Sequence, residues 1–362
     1  MKTLLLGDIC PTEATAPFFR EQNISELFGD AVSVFEKRDF IFANLECALT
    51  EHEGAILKFG PNLKAPPETA AVLKSLGVSC CGLSNNHVFD YGIKGATDTV
   101  RALNEQGIDV TGFGSDYEDA RKNYTVTRHG EKICLIAVCE REYSYALDDR
   151  MGSRPYDEYD TIEDIRAAKA THDRVIVIYH GGKEFCEYPS PRLLKLCHAM
   201  ARNGADVVLC QHSHCIGTYE KYGDCHILYG QGNFHFVSAK PHPLEMWRSG
   251  MAVEYDTVTH EISFIPVKTE EHGIRLATAD EKETMMQAFS KRSQTLLNGE
   301  WREGWHAFCQ SKKDIYSKAI GNACREESTE RDNHFFAHYL DCQAHTDVWR
   351  ELFPTYNLTN EK

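Results

Sequence analysis

Up to about residue 268, short apolar runs alternate with amphipathic ones, and several apolar runs end in side chains that a buried strand does not need. "TLLLGDI" ends near Asp8, and "FIFANLE" delivers Asn44 and Glu46. "VSCCGLSNNH" runs from a strand into a loop carrying Asn85, Asn86 and His87, with Asp90 three residues on. "RVIVIYHGGKE" ends in His180 and Glu184, and "ADVVLCQHSH" in His212 and His214. Between these strands the pattern predicts helices over residues 25–37, "ETAAVLKSLG", "KGATDTVRALNEQG", "TIEDIRAAKAT" and "SPRLLKLCHAMARNG", with Gly77 and Gly107 as stops. "DVTGFG" and "EKICLIAVCE" read as further strands. "HILYGQGNFHF", "MAVEYDTV" and "HEISFIPVKTE" read as successive antiparallel strands. Alternating strands and helices imply an α/β fold. From about residue 277 the texture becomes helical, so residues 1–275 form one expected domain and 276–362 a helical extension.

Charge narrows the partners. The 362 residues carry a net charge of −15, which opposes nucleic acid and anionic membrane surfaces. No run has the length of a membrane span. The opening "MKTLLLGDIC" has only Leu4 to Leu6 before Asp8, too short for an export signal, and reads as the first strand. Fourteen cysteines without such a signal are expected to be reduced in the cytoplasm. No CxxC pair occurs, which disfavours a zinc ribbon.

Chemistry concentrates at the strand ends, where α/β folds place their sites. Carboxylates, an amide and imidazoles on five strands match a dinuclear site for transition metals, Mn, Fe or Zn rather than Mg or Ca. If the extended backbone continues past the strand, His212 and His214 face the same way and reach one metal pair. Taken singly, each residue has a plainer reading. Asp8 or Asn44 can make an Asx turn, the Asn pair can form a turn, and Glu184 can favour a helix start. Their combined order is what points to a metal.

That order, "GD…NLE…NNHxxDYG…HxGxE…HxH…GNF", resembles the CapA family of bacterial capsule and poly-γ-glutamate biosynthesis, across roughly residues 3–240. The resemblance implies a divergent calcineurin-like metallophosphoesterase domain, a layered α/β/β/α sandwich, here with a C-terminal helical extension. It implies Asp8 as a ligand of the first metal and Glu46 at the bridging position. Asn86, His180 and His212 become ligands of the second metal, and His214 of the first. His87 becomes the catalytic histidine that contacts the scissile phosphate and protonates the leaving oxygen. Cys10 stands where metallophosphoesterases usually carry a histidine ligand; it is either a thiolate ligand or a buried spectator. Gln211 replaces the usual glycine. Asn44, Asp90 and Glu184 are expected to orient ligands or meet substrate, and Asn233 either supports the site or makes a turn.

The expected function is a cytoplasmic, metal-dependent hydrolase of CapA type. Water polarised by two divalent metals would attack a phosphoester, or a γ-glutamyl amide, in a substrate bearing phosphate or carboxylate. The alternatives are a non-hydrolytic biosynthetic accessory recruited to a capsule-synthesis complex, and a binding module holding one metal. The tail's "HFFAH" places His334 and His338 at i, i+4 without the glutamate of a zincin, and reads as a solvated or packed surface pair. Trp301, Trp305 and Trp349 read as packing against the main domain, or as a lid over its site.

Overall fold

The apolar runs become the strands of two sheets in the structure, a computed structural model that describes residues 1–238 and 242–354. Leaving aside two-residue pieces, the strands are β1 (Lys2–Ile9), β2 (Phe40–Leu45), β3 (Cys80–Gly82), β4 (Asp109–Thr111), β5 (Tyr124–Arg128), β6 (Glu131–Cys139) and β7 (Arg174–His180). They continue as β8 (Val207–Gln211), β9 (Tyr219–Tyr222), β10 (Cys225–Leu228), β11 (Asn233–His235), β12 (Ser249–Asp256), β13 (Glu261–Thr269) and β14 (Ile274–Leu276). The eight-stranded sheet has the order β14-β13-β12-β1-β2-β3-β4, with β11 also paired to β1. The six-stranded sheet runs β9-β10-β8-β7-β6-β5.

Period-2 alternation splits each central strand between two cores. In β6, Ile133, Leu135 and Ala137 face the other sheet, while Cys134, Ile136 and Val138 face helices. In β1, Leu5 joins the layer between the sheets, and Leu4 and Leu6 the opposite one. Strands buried on both faces need continuous apolar runs, which is why "LLL" and "VIVIY" lack polar breaks. Helices α1 (Thr69–Ser75) and α2 (Gly92–Glu105) cover one outer face, and α3 (Asp160–Lys169) and α4 (Pro191–Arg202) the other. The result is the expected α/β/β/α sandwich. The strand ends carrying the polar residues all lie at one edge, because β1, β2 and β3 are mutually parallel, as are β6, β7 and β8.

Three local expectations change. Residues 25–37 do not form one helix: an α-turn over Ile24–Phe28 gives way at Gly29, φ +47°, to a 3-10 segment over Gly29–Phe35. "DVTGFG" breaks at Gly112, φ +73°. The run expected as successive antiparallel strands changes sheets instead. β10 is parallel to β8 though antiparallel to β9, β11 is parallel to β1, and β12, β13 and β14 follow one another antiparallel. The crossing needs glycine, since a Cβ on Gly250 would stand 1.9 Å from the Asn233 carbonyl oxygen.

After β14 the chain is helical: α5 (Ala279–Asn298), α6 (Trp301–Ala323), α7 (Glu330–Asp341) and α8 (Gln343–Leu352). A capping box of Thr278 and Glu281 starts α5. Phe289 of α5 enters the layer between the sheets. Trp301, Trp305, Tyr316, Tyr339 and Val348 form a separate core that also takes in Cys186 of the sandwich. Among the described residues no helix is long and apolar enough to cross a membrane. All fourteen cysteines are free thiols, and only Cys324 is exposed.

Candidate metal centre

Asp8 and Asn44 are neighbours across the parallel β1–β2 register, and Glu46 follows one residue after β2 ends. Asn44 donates from Nδ2 to Asp8 Oδ1 at 2.8 Å, and the His212 backbone N–H donates to Asp8 Oδ2 at 3.1 Å. Glu46 is fully buried, and neither of its carboxylate oxygens has a hydrogen-bond partner. A buried carboxylate left without a donor is costly unless a cation meets it. Two groups of side chains have ligand atoms close enough to hold an ion. One is Glu46, His180 and His212; the other is Asp8, Glu46 and His214. Glu46 belongs to both groups. The oxygen and nitrogen donors fit a divalent transition metal.

The histidine pair works differently from the extended geometry expected of it. β8 ends at Gln211, and His212 and His214 both adopt left-handed backbone, φ +78° and +51°. The bend sends His212 to one group and His214 to the other. Their conformation is strained for residues with a Cβ, and the packed surroundings hold it. His180 Nε2 lies 3.4 Å from Glu46 Oε1 and 3.1 Å from Asn86 Oδ1, which brings the amide into the same cluster. His214 Nδ1 is 2.9 Å from Asn233 Oδ1, an acceptor. That contact puts the ring proton on Nδ1 and leaves Nε2, 4.0 Å from Glu46 Oε1, free to bind. Asn233 therefore supports His214 rather than only shaping a turn.

Around this cluster, His87 Nδ1 is 2.7 Å from Asp90 Oδ2, and the Lys58 ammonium pairs with Asp90 Oδ1 at 2.5 Å. Asn85 holds the turn by accepting from the backbone N–H groups of His87 and Val88. Glu184 stays outside both ligand groups and pairs with Lys183 at 3.3 Å. Cys10 also joins neither group. Burial and the neighbouring Cys47 hold its thiol well above its usual range. Gln211 turns away from the cluster and donates to the Leu6 carbonyl.

Burial, and then the adjacent Asp8, push the Glu46 carboxyl well above its usual range. A bound dication would reverse both causes. Burial lowers His212 to about 3, with His180 adding to the shift, and burial also lowers His180. Burial and then Lys58 bring His87 down to about 4, so its ring is neutral near pH 7.

Residues 2–238 match the family model of the bacterial capsule synthesis protein PGA_cap. The chain belongs to this family. It is 27% identical over 241 residues to the capsule biosynthesis protein CapA of Bacillus anthracis, covering 64% of this chain and 59% of that one. A probable polyglutamine synthesis accessory protein of Mycobacterium tuberculosis is 30% identical over 254 residues, 65% of this chain and 66% of that one. The chain thus spans about 60% of its first curated relative's length. Among solved structures, a hypothetical protein from Thermus thermophilus is similar at 16% identity and a TM-score of 0.46, covering 75% of this chain and all of that one.

The PGA_cap match ends before the helical tail, yet the tail reaches the cluster. Glu140 and Glu142 follow β6. Glu140 pairs with Arg192 at 2.5 Å and accepts from the Ala344 backbone N–H at 3.0 Å. Glu142 lies 3.7 Å from His212 and 3.7 Å from His338 of α7. His338 is therefore no solvated surface residue; its side chain is only a tenth exposed. Lys58 and Glu142 were missed in the sequence, and His338 was read there as one of a surface pair. The strand-end rule that found Asp8 also applies to "AVCERE" and would have found Glu142. Lys58 lies in an irregular stretch with no pattern to mark it.

Proposed function

We propose that the chain is a metal-dependent hydrolase acting on a phosphoester in capsule or poly-γ-glutamate biosynthesis. The observation that carries this reading is Glu46, shared by two ligand groups with both oxygens buried and unpartnered. Asp8, Glu46, Asn86, His180, His212 and His214 would hold two divalent ions, Mn, Fe or Zn. Bound there, the ions supply Lewis-acid polarisation of water and of the phosphoryl oxygens. Asn44 orients Asp8, and Asn233 orients His214. Asp90 and Lys58 occupy the Nδ1 side of His87, so Nε2 is the nitrogen left for substrate. Being neutral, that nitrogen accepts a proton first; the negative charge of a bound substrate raises its basicity before it delivers the proton to a leaving oxygen.

The test is elemental analysis of the purified protein, with Mn-supplemented assays on a generic phosphodiester and monoester. Hydrolysis that is lost in His180→Ala/His212→Ala supports the reading; hydrolysis surviving that double change rules it out. A non-hydrolytic accessory role is the second reading. What favours it is the description of the Mycobacterium tuberculosis relative as an accessory protein. Recovery of synthase subunits in a pull-down by a protein without turnover would select it. A γ-glutamyl amide substrate uses the same residues, and a peptide assay run in parallel distinguishes it.

A further inference from the structure

We propose that Glu142 and His338 are positioning residues that orient His212, so that the helical tail beyond the PGA_cap match forms part of the metal centre. The inference rests on the cation reading of the site and adds an element to it that the family model does not contain.

His212 needs an external holder. Its backbone is left-handed, and its Nδ1 is buried without a partner. Asn86 and Asn44 serve His180, and Asn233 serves His214, but no amide serves His212. On the side of its other nitrogen stands Glu142, with Oε2 3.7 Å from Nε2. An imidazole that binds a cation through one nitrogen usually has the second held by a carboxylate or carbonyl. With Glu142 on the Nε2 side, Nδ1 is the atom left for the cation.

Glu142 is approached from the tail. Its Oε1 lies 3.7 Å from His338 Nε2. The His338 ring lies parallel to Tyr143, with centroids 5.2 Å apart and planes at 18°, and next to Phe59 at 5.7 Å. α8, which follows α7 directly, is anchored where Glu140 receives the Ala344 N–H and Asp347 pairs with Arg192 at 2.9 Å. A displacement of α7 would therefore reach His212 through Glu142. A cavity of about 270 Å³ opens beside these residues, bounded by Lys58, Tyr143 and His334.

The experiment measures Mn and Co affinity of the dialysed full-length protein by calorimetry, together with the visible spectrum of the Co form. Glu142→Gln is expected to weaken one of two binding events by about 10–100-fold. His338→Ala should weaken the same event and shift the Co spectrum, and His338→Gln, which keeps a donor, should recover most of the affinity. His306→Ala, on an exposed α6 ring paired with Glu351, should leave the affinity unchanged. Circular dichroism confirms that each variant is folded. Unaltered affinity and spectrum in folded Glu142→Gln and His338→Ala would overturn this role alone. Failure of the unmodified protein to take up either cation would overturn the cation reading beneath it.

Discussion

The histidines of the sandwich and those of the outer tail have the same ring but opposite surroundings. His180, His212 and His214 gather around Asp8 and Glu46, where both Glu46 oxygens and His212 Nδ1 lack partners. In the tail, His306 Nδ1 already meets Glu351 at 2.7 Å, and His345 Nδ1 meets the Tyr316 hydroxyl at 2.6 Å. The first set has unspent bonding capacity gathered inside the protein; each of the second already spends one nitrogen on a neighbour. Buried polar atoms are nearly always paired, so a buried carboxylate with two free oxygens is the more telling mark of a cation site than histidine spacing. His338 stands between the two sets, in the tail by sequence and beside the cluster in space.

The sharpest way to break this contrast is to remove Glu46. Glu46→Gln should abolish uptake of both cations and reduce any hydrolysis by more than about 100-fold, beyond the range for residues that only orient ligands. Without metal the same variant should melt higher than the unmodified protein, because a neutral amide is cheaper to bury than an unpaired carboxylate. Differential scanning fluorimetry with and without Mn checks both outcomes. Next in size is the tail's own core. Trp305 is 1% exposed, and Trp305→Ala should cost about 3–5 kcal/mol in urea unfolding.

A third effect sharpens the distinction between paired and unpaired rings. His235 is lowered to about 4 by burial, while its unfolded value is about 6.5. Between those values the unfolded chain binds the extra proton. His235 therefore imposes no penalty above pH 6.5, and stability falls as pH drops towards 4, by up to about 3 kcal/mol. Melting temperature against pH should show this slope together with those of His87 and His212, and His235→Phe should make it shallower. The smallest effect is His306→Ala, on an exposed tail ring, expected within about 0.5 kcal/mol and without change in Mn uptake. Loss of a cation from that variant would erase the contrast.

Much of the sandwich was legible because its strands are buried on both faces and so carry uninterrupted apolar runs. Asp8, Asn44, Glu46, Asn86, His180, His212 and His214 were legible as the polar ends of those runs. The bend at His212 and His214 was not, because left-handed backbone at two non-glycine residues has no local signature. Nor was the change of sheets between Leu228 and Asn233, where apolar alternation looks the same whichever neighbour a strand finds. Cys10 stands at a ligand's position in the sequence, and its burial beside Cys47 had no local signature either.

The order of elements, the family and the set of donors were written in the chain itself, because hydrophobic period and residue type act locally. How the donors divide into two groups, with Glu46 common to both, was decided by the folded structure. So was the approach of His338 to Glu142, 196 positions earlier in the chain. Such meetings depend on how sheets and helices stack, and no short-range pattern encodes a distance across that stack.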